Sequence, residues 1–167
     1  MEQLIRDVIT DHLVTNELLT ACQHGFIKDR SCITQLLATL DHWTEVKNWI
    51  GDLDAIYLDF SKCFDSVPHE RLLLKIQKYG IQGKLWSWIA DFLIGQKQQV
   101  SIEGCLSKLA MVLSGIPQAS VLGPLLFILF VNEMPELVHS IIFMFADDTK
   151  FSLRSEMKKM PKNCMKT

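Results

Sequence analysis

The sequence lacks most features that would place it at a glance. Its five cysteines, at 22, 32, 63, 105 and 164, form no CxxC pair and are odd in number. That excludes a disulfide framework or a zinc site and reads as reduced thiols in an intracellular protein. There is no basic excess, since the net charge is −2. Nucleic-acid-binding domains are often basic, so any such role would rest on local Lys and Arg. The longest apolar run, Leu125 to Val131, is too short for a bilayer span of about 20 residues. It follows Pro124 and reads as a buried helix. The N-terminus carries Glu2 and Asp7 and no signal-peptide core. No internal repeat or low-complexity tract interrupts the chain. What remains is 167 residues, 49% of them hydrophobic. That is enough for one domain with a real core, globular rather than disordered.

The most informative stretch is YLDFSKCFDSVPH, residues 57 to 69. Leu53, Ala55 and Tyr57 alternate with Asp54, Ile56 and Leu58, the period-2 pattern of a strand. Asp59 falls at the strand's end, on the face of Leu53, Ala55 and Tyr57. Ser66, Val67 and Pro68 then read as the entry to a helix. A carboxylate at a strand end beside a loop is well placed for chemistry. Taken alone, such a carboxylate more often merely stops a strand.

A second stretch is FADD, residues 145 to 148, after the apolar run Ile141 to Phe145. Thr149 to Leu153 alternates again, which predicts a hairpin with Asp147 and Asp148 at its tip. Turn chemistry alone accommodates two acids. Yet neighbouring like charges repel, and a divalent cation would relieve that. Sites of a few carboxylates hold Mg²⁺ when substrate phosphates supply other ligands.

Elsewhere, spacing predicts an amphipathic helix over 2–14, from Leu4, Ile5, Val8, Ile9 and Leu13. Ser31 is positioned to cap a helix whose apolar face is Ile33, Leu36, Leu37, Leu40 and Trp43. A helix from Pro68 to Tyr79 carries Leu72, Leu73 and Ile76, with Gly80 as its terminator. The next carries Leu85, Trp86, Ile89, Phe92 and Leu93; at this spacing Trp86 and Trp88 are core residues rather than base-stacking platforms. Gln98–Glu103 and Leu109–Leu113 read as strands around a turn with Gly104. The buried helix starts near Val121, and Glu156 to Thr167 reads as a loose tail. Strands, hairpins and helices in this order predict an α+β fold, an antiparallel sheet backed by helices.

Three blocks in this order resemble the palm of a reverse transcriptase, most closely the polymerases of non-LTR retrotransposons of the jockey-like and CR1-like kind. They are YLDFSKCFDSVPH, SGIPQASVLGPLLFILFVNEMP (114 to 135) and FADDT (145 to 149). A weaker fourth is QHGFIKDRSC, 23 to 32. The resemblance implies a palm with a catalytic hairpin, as a single partial domain: helices of fingers and palm over 1–52, palm over 53–153, tail over 154–167. It implies an RNA-directed DNA polymerase acting on an RNA template, a DNA primer and deoxynucleoside triphosphates, with no membrane. The family's setting suggests the nucleus.

The implied chemistry is attack of a primer 3′-hydroxyl on an α-phosphate. Two Mg²⁺ ions, with Mn²⁺ as a substitute, would sit roughly 3.5–4 Å apart and serve the attacking and leaving oxygens. By resemblance, Asp59 and Asp147 bridge the metals and Asp148 is the third acid. The Phe60 carbonyl completes a metal shell. Phe64 lies under the sugar and excludes a 2′-hydroxyl, although by its position it equally reads as a core residue at a helix entry. Asp65 caps the helix or holds the loop. Gln118 lines the nucleotide and template pocket, its amide able to bond both ways. Arg30 and Lys28 lie near nucleotide or template, and Lys62 is ambiguous.

Departures from the family pattern are Ala119 and Asp29, where glycine is usual, Ile27, where arginine is usual, and Cys63 for alanine. At Ala119 a required positive φ would cost about 1 kcal/mol. The family's Tyr-Arg-Pro-Ile fingers block is expected before residue 1, and its lysine-bearing motif and thumb after residue 167. The expectation is therefore a partial reading frame. Two alternatives stay open: an inactive retroelement remnant with at most nucleic-acid binding, and an unrelated Mg²⁺ phosphodiesterase built on the same acids.

Overall fold

The computed structural model describes residues 1–49 and 51–154. In chain order its elements are α1 (Glu2–Thr15), α2 (Cys32–Trp49), β1 (Leu53–Leu58), α3 (His69–Lys78), α4 (Gly83–Leu93), β2 (Lys97–Gln98), β3 (Ser101–Ile102), β4 (Cys105–Leu106), β5 (Ala110–Met111), α5 (Gly123–Val131), β6 (Ile141–Phe145) and β7 (Asp148–Arg154). This is the α+β fold the pattern predicts. Contacts divide the chain into two compact units, Met1–Ala21 with Phe60–Met134, and Cys22–Asp59 with Pro135–Thr167. The tail expected from Glu156 onward lies outside the described residues. Among the described residues no helix is long and apolar enough to cross a membrane.

The first unit is built around α5. Its sequence, GPLLFILFV, is apolar on every side, and such a helix has to be buried. Leu126, Phe127, Ile128 and Leu129 are almost fully enclosed, as are Ile9 and Leu13 of α1, Leu72 and Ile76 of α3, and Ile89 and Leu93 of α4. Polar groups finish both ends of α5. The Glu2 carboxylate accepts from the Val121 and Leu122 amides at 2.8 and 3.2 Å, where the helix leaves amides unpaired and favours negative charge. At the other end Lys75 donates to the Phe130 carbonyl at 2.6 Å and pairs with Glu133.

The predicted terminator Gly80 has φ +83. It ends α3 in a Schellman motif, with Gly80 N–H to the Gln77 carbonyl and Ile81 N–H to the Ile76 carbonyl. The expected hairpin around Gly104 forms with both turn residues left-handed, Glu103 at φ +49 and Gly104 at +82. That is the type I′ pattern favoured by two-residue hairpins. Its strands are broken into short pairs, β2 with β5 and β3 with β4, because Ser107 takes the Val100 amide onto its hydroxyl between them.

The block Ser114–Ser120 is a loop laced to residues 64–67. Gly115 N–H bonds the Val67 carbonyl and Ile116 N–H the Phe64 carbonyl, both at 2.9 Å. His69, buried, meets the Gly115 carbonyl at 2.7 Å. Gly115 has φ +98, and a Cβ there would lie 2.8 Å from the Asp65 carbonyl oxygen. The glycine demanded by this loop is therefore Gly115. Ala119 is exposed and is not among the residues with positive φ, so its methyl group brings no backbone strain.

The second unit is a three-stranded antiparallel sheet in the order β1-β7-β6, with α2 against it. Its central strand β7 pairs with both neighbours. The free edge of β6 is covered by residues 22–24: Met144 N–H bonds the Cys22 carbonyl and His24 N–H bonds the Met144 carbonyl. Ser31 does cap α2, in a reciprocal box with Thr34: its hydroxyl accepts the Thr34 amide at 3.2 Å, and Thr34 Oγ1 accepts the Ser31 amide at 2.8 Å.

The face that α2 turns inward differs from the expectation. Its buried residues are Gln35, Thr39 and Val46, while Ile33 is 69% and Leu37 61% exposed. The reason is specific polar pairing. Lys150 Nζ donates to Gln35 Oε1 at 3.0 Å, Trp43 Nε1 donates to Ser152 Oγ at 2.7 Å, and the His42 ring lies 5.8 Å from that of Phe143.

Two outcomes are expected. Gly115→Ala should lose about 2–4 kcal/mol in urea unfolding, whereas Ala119→Gly should change stability by less than about 1 kcal/mol; equal effects would refute the assignment of strain to Gly115. The second concerns His24, whose ring Nδ1 meets Thr34 Oγ1 at 2.9 Å. Burial, and then the Arg30 charge, lower its pKa below the ordinary 6.5. The unfolded chain then binds the proton more readily, so stability is full above pH 6.5 and declines as pH falls toward the lowered value. Replacing His24 by Gln should flatten the stability profile as pH falls below 6.5; an unchanged slope would refute it.

Candidate active site

Asp59 directly follows β1, and its position is set by strand register. Tyr57 lies opposite Lys150 and Leu58 opposite Thr149. Continuing that register by one step brings Asp59 level with Asp148, on the same face of the sheet. Both acids are exposed, and both line one cavity of about 270 Å³ with Gln35, Tyr57, Phe145 and Lys150. The hairpin tip is narrower than expected. Asp148 is already in β7, opposite Phe145, so the two turn residues are Ala146 and Asp147. Asp147 is half-buried and is not among the residues lining that cavity.

The turn is held in an uncommon conformation. Ala146 has φ +55, a left-handed geometry that costs an L-residue about 1–2 kcal/mol. The fully buried amide of Gln23 grips it: Ala146 N–H donates to Gln23 Oε1 at 2.8 Å, and Gln23 Nε2 donates to the Ala146 carbonyl at 3.1 Å. Gly25 N–H shares the same Oε1 at 2.7 Å. A Cβ on Gly25 would come 2.3 Å from the Ala146 nitrogen. Arg30, expected near nucleotide or template, donates from its guanidinium to the Gln23 carbonyl at 2.5 Å.

Lys150 brings a positive charge to the cavity. Its ammonium is held by Gln35 and lies 5.8 Å from the centre of the Tyr57 ring. The Nε2 of Gln35 is buried and has no partner among the described residues. Phe60, Phe64, Gln118, Asp65 and Lys62 belong to the first unit. The Phe60 carbonyl accepts the Cys63 N–H at 3.3 Å. Phe64 is half-buried and stacks on Phe127, ring centres 4.1 Å apart. Gln118 Nε2 donates to Asp65 Oδ1 at 2.9 Å. Asp65 therefore holds the loop, while α3, with Pro68 at its N-cap, has no side-chain cap among the described residues. Gln118, Asp65 and Lys62 line a cavity of about 610 Å³. Trp86 Nε1 bonds the Leu73 carbonyl and Trp88 stacks on Phe92, so both rings are engaged within their unit.

Among the described residues no group of three or more His, Cys, Asp or Glu side chains is gathered closely enough to hold a metal ion. The donors at the 270 Å³ cavity are nevertheless hard carboxylate oxygens from two elements, the type a divalent cation takes. None of Cys22, Cys32, Cys63 and Cys105 forms a disulfide. Sequence reasoning missed Gln23, Gln35, Lys150 and His69. The available signal for Gln23 was its glycine neighbour two residues on, in the weak fourth block.

The family model described as "Reverse transcriptase (RNA-dependent DNA polymerase)" matches residues 1–167. The RNA-directed DNA polymerase from mobile element jockey of Drosophila funebris is 29% identical over 137 residues, 80% of this chain and 15% of that protein. The probable RNA-directed DNA polymerase from transposon X-element of Drosophila melanogaster is 28% identical over 159 residues, 92% of this chain and 17% of that protein. This chain thus spans less than a fifth of these relatives. An apo telomerase structure from Candida tropicalis, truncated from the C-terminal domain, superposes with TM-score 0.68 at 12% identity, over 93% of this chain and 34% of that one; that similarity concerns the fold. With a family model matched along its whole length, the chain belongs to the reverse transcriptase (RNA-dependent DNA polymerase) family.

Proposed function

We propose that this chain is the nucleotidyl-transfer core of an RNA-directed DNA polymerase of a non-LTR retrotransposon. The observation that carries the reading is the pair Asp59 and Asp148, brought to one cavity from different strands with Asp147 next in the turn. The family implies nucleic-acid template, nucleotide substrate and a divalent metal in general terms. The finer reading is an RNA template, a DNA primer, deoxynucleoside triphosphates and two Mg²⁺ ions. Asp59, Asp147 and Asp148 would hold the metal. When bound, it offsets phosphate charge and polarises the attacking and leaving oxygens.

The chain's own residues supply the rest. The sheet fixes the backbone of Asp148 and of Leu58, immediately before Asp59, so little reorganisation is needed when charge develops. Phe64 is the steric selector: braced against Phe127, its ring cannot swing away from a ribose 2′-hydroxyl. Gln118 is oriented by Asp65, which leaves its amide oxygen for a nucleotide or template base. Phe60 contributes its backbone carbonyl. Arg30, expected near nucleotide or template, also supports the Gln23 segment through the Gln23 carbonyl.

Primer extension on an RNA template with a DNA primer, Mg²⁺ and deoxynucleotides tests the reading. Asp59→Ala and Asp147→Ala should each lower the rate at least about 100-fold, and Phe64→Ala should admit ribonucleotides. Extension that persists in Asp147→Ala would refute the assignment. Metal-dependent cleavage without deoxynucleotides would favour a phosphodiesterase instead.

A further inference from the structure

Beyond the acids themselves, one side chain controls the turn that carries Asp147. Gln23 is 0% exposed and uses both ends of its amide on the same residue, Ala146. Its oxygen fixes the peptide plane that enters Ala146, and its nitrogen fixes the plane that leaves it. The leaving plane includes the nitrogen of Asp147. The turn's left-handed φ of +55 is thus clamped from both sides. Three further contacts keep the clamp in register: the Met144 and His24 backbone bonds on either side of Gln23, and the Arg30 guanidinium on its carbonyl. Gly25 leaves room for the close approach, since any Cβ there would strike the Ala146 nitrogen.

We propose that Gln23 is a positioning residue that sets the direction of the Asp147 carboxylate by holding Ala146 left-handed, and so tunes metal affinity and turnover. The proposal rests on the polymerase reading of Asp147. A plain buried amide could also satisfy backbone groups without any effect on the acid. The two differ in what restores function. If Gln23 acts through the turn, a residue that adopts positive φ without strain should partly replace it, and glycine at 146 is that residue. A merely structural amide offers no such route.

The test uses the full chain and three readouts. In the wild type, hydrogen exchange followed by NMR should find the Ala146 and Gly25 amides protected; exchange as fast as in exposed loops would overturn the clamp even if no variant folds. Mn²⁺ alone is then titrated by electron paramagnetic resonance. Gln23→Met keeps the side chain's bulk without its hydrogen bonds, and should weaken Mn²⁺ binding about 10–100-fold, the range for groups that orient metal ligands. Gly25→Ala should act in the same direction. Ala146→Gly added to Gln23→Met should recover at least part of the affinity, and of kcat in primer extension, with KM for deoxynucleotide within about twofold throughout. Affinity in Gln23→Met equal to the wild type, or no recovery with Ala146→Gly, would overturn the positioning role alone. A wild type that binds no Mn²⁺ would overturn the polymerase reading, and this proposal with it.

Discussion

Asp59 and Asp148 lie far apart in sequence, and the antiparallel pairing of β1 with β7 is what brings them level. The pairing puts Tyr57 against Lys150 and Leu58 against Thr149. A slip of one residue would turn every β1 side chain to the opposite face and send Asp59 away from the cavity. The register is anchored from the far side. β6 and β7 are tied by a two-residue turn, and Ile142, Met144 and Thr149 share a buried face. β1, an edge strand with mostly exposed side chains, takes its position from β7. The acids of β1 and β7 therefore depend on a hairpin whose own geometry depends on Gln23.

The first unit solves a different problem. α5 is apolar on all sides, so everything around it has to supply bulk and cap its ends. The loop 114–118 is laid against residues 64–67 by four hydrogen bonds, from Gly115, Ile116, Ser114 and Gln118. That lacing fixes Phe64 over Phe127 and Gln118 on Asp65 together. A residue proposed to select the sugar and a residue proposed to meet the base are held by one small piece of structure. Gly115 makes the approach feasible, because only hydrogen fits against the Asp65 carbonyl.

Local patterns were legible from sequence alone. Alternation found β1 and β7, an apolar run before two acids marked β6, the Ser31 cap and Gly80 terminator marked helix ends, and the longer apolar run marked α5. These signals are written within a few residues of the feature they specify. The inward face of α2 was not legible. Its apolar stripe Ile33, Leu36, Leu37, Leu40 and Trp43 is the stronger periodic signal, yet Ile33 and Leu37 stay exposed while Gln35 and Thr39 are buried and Trp43 bonds Ser152. What decides is hydrogen bonding to Lys150 and Ser152, partners more than a hundred residues away. The Gln23 clamp was hidden for the same reason. The sign of φ is equally invisible: Ala119, where glycine is usual, carries no strain, while Asp29 sits at φ +63 in a position where glycine is also usual. Asp tolerates that region better than most residues.

Lys150 places an ammonium at the cavity that Asp59 and Asp148 line, where an ion pair with either acid would neutralise a cation site. The geometry argues against that. Among the described residues Lys150 forms no ion pair with Asp59 or Asp148; its ammonium is drawn to Gln35 Oε1 and toward the Tyr57 ring. Holding it there has a cost, because the Gln35 oxygen faces the lysine and its buried Nε2 is left unpaired. Flipping the amide would satisfy nothing better, since it would set an N–H against an ammonium. An unpaired buried donor costs about 1–3 kcal/mol. The arrangement makes sense if the lysine is to be kept from the acids. Two carboxylates against one diverted ammonium leave the cavity net negative, the sign that the proposed cation site requires.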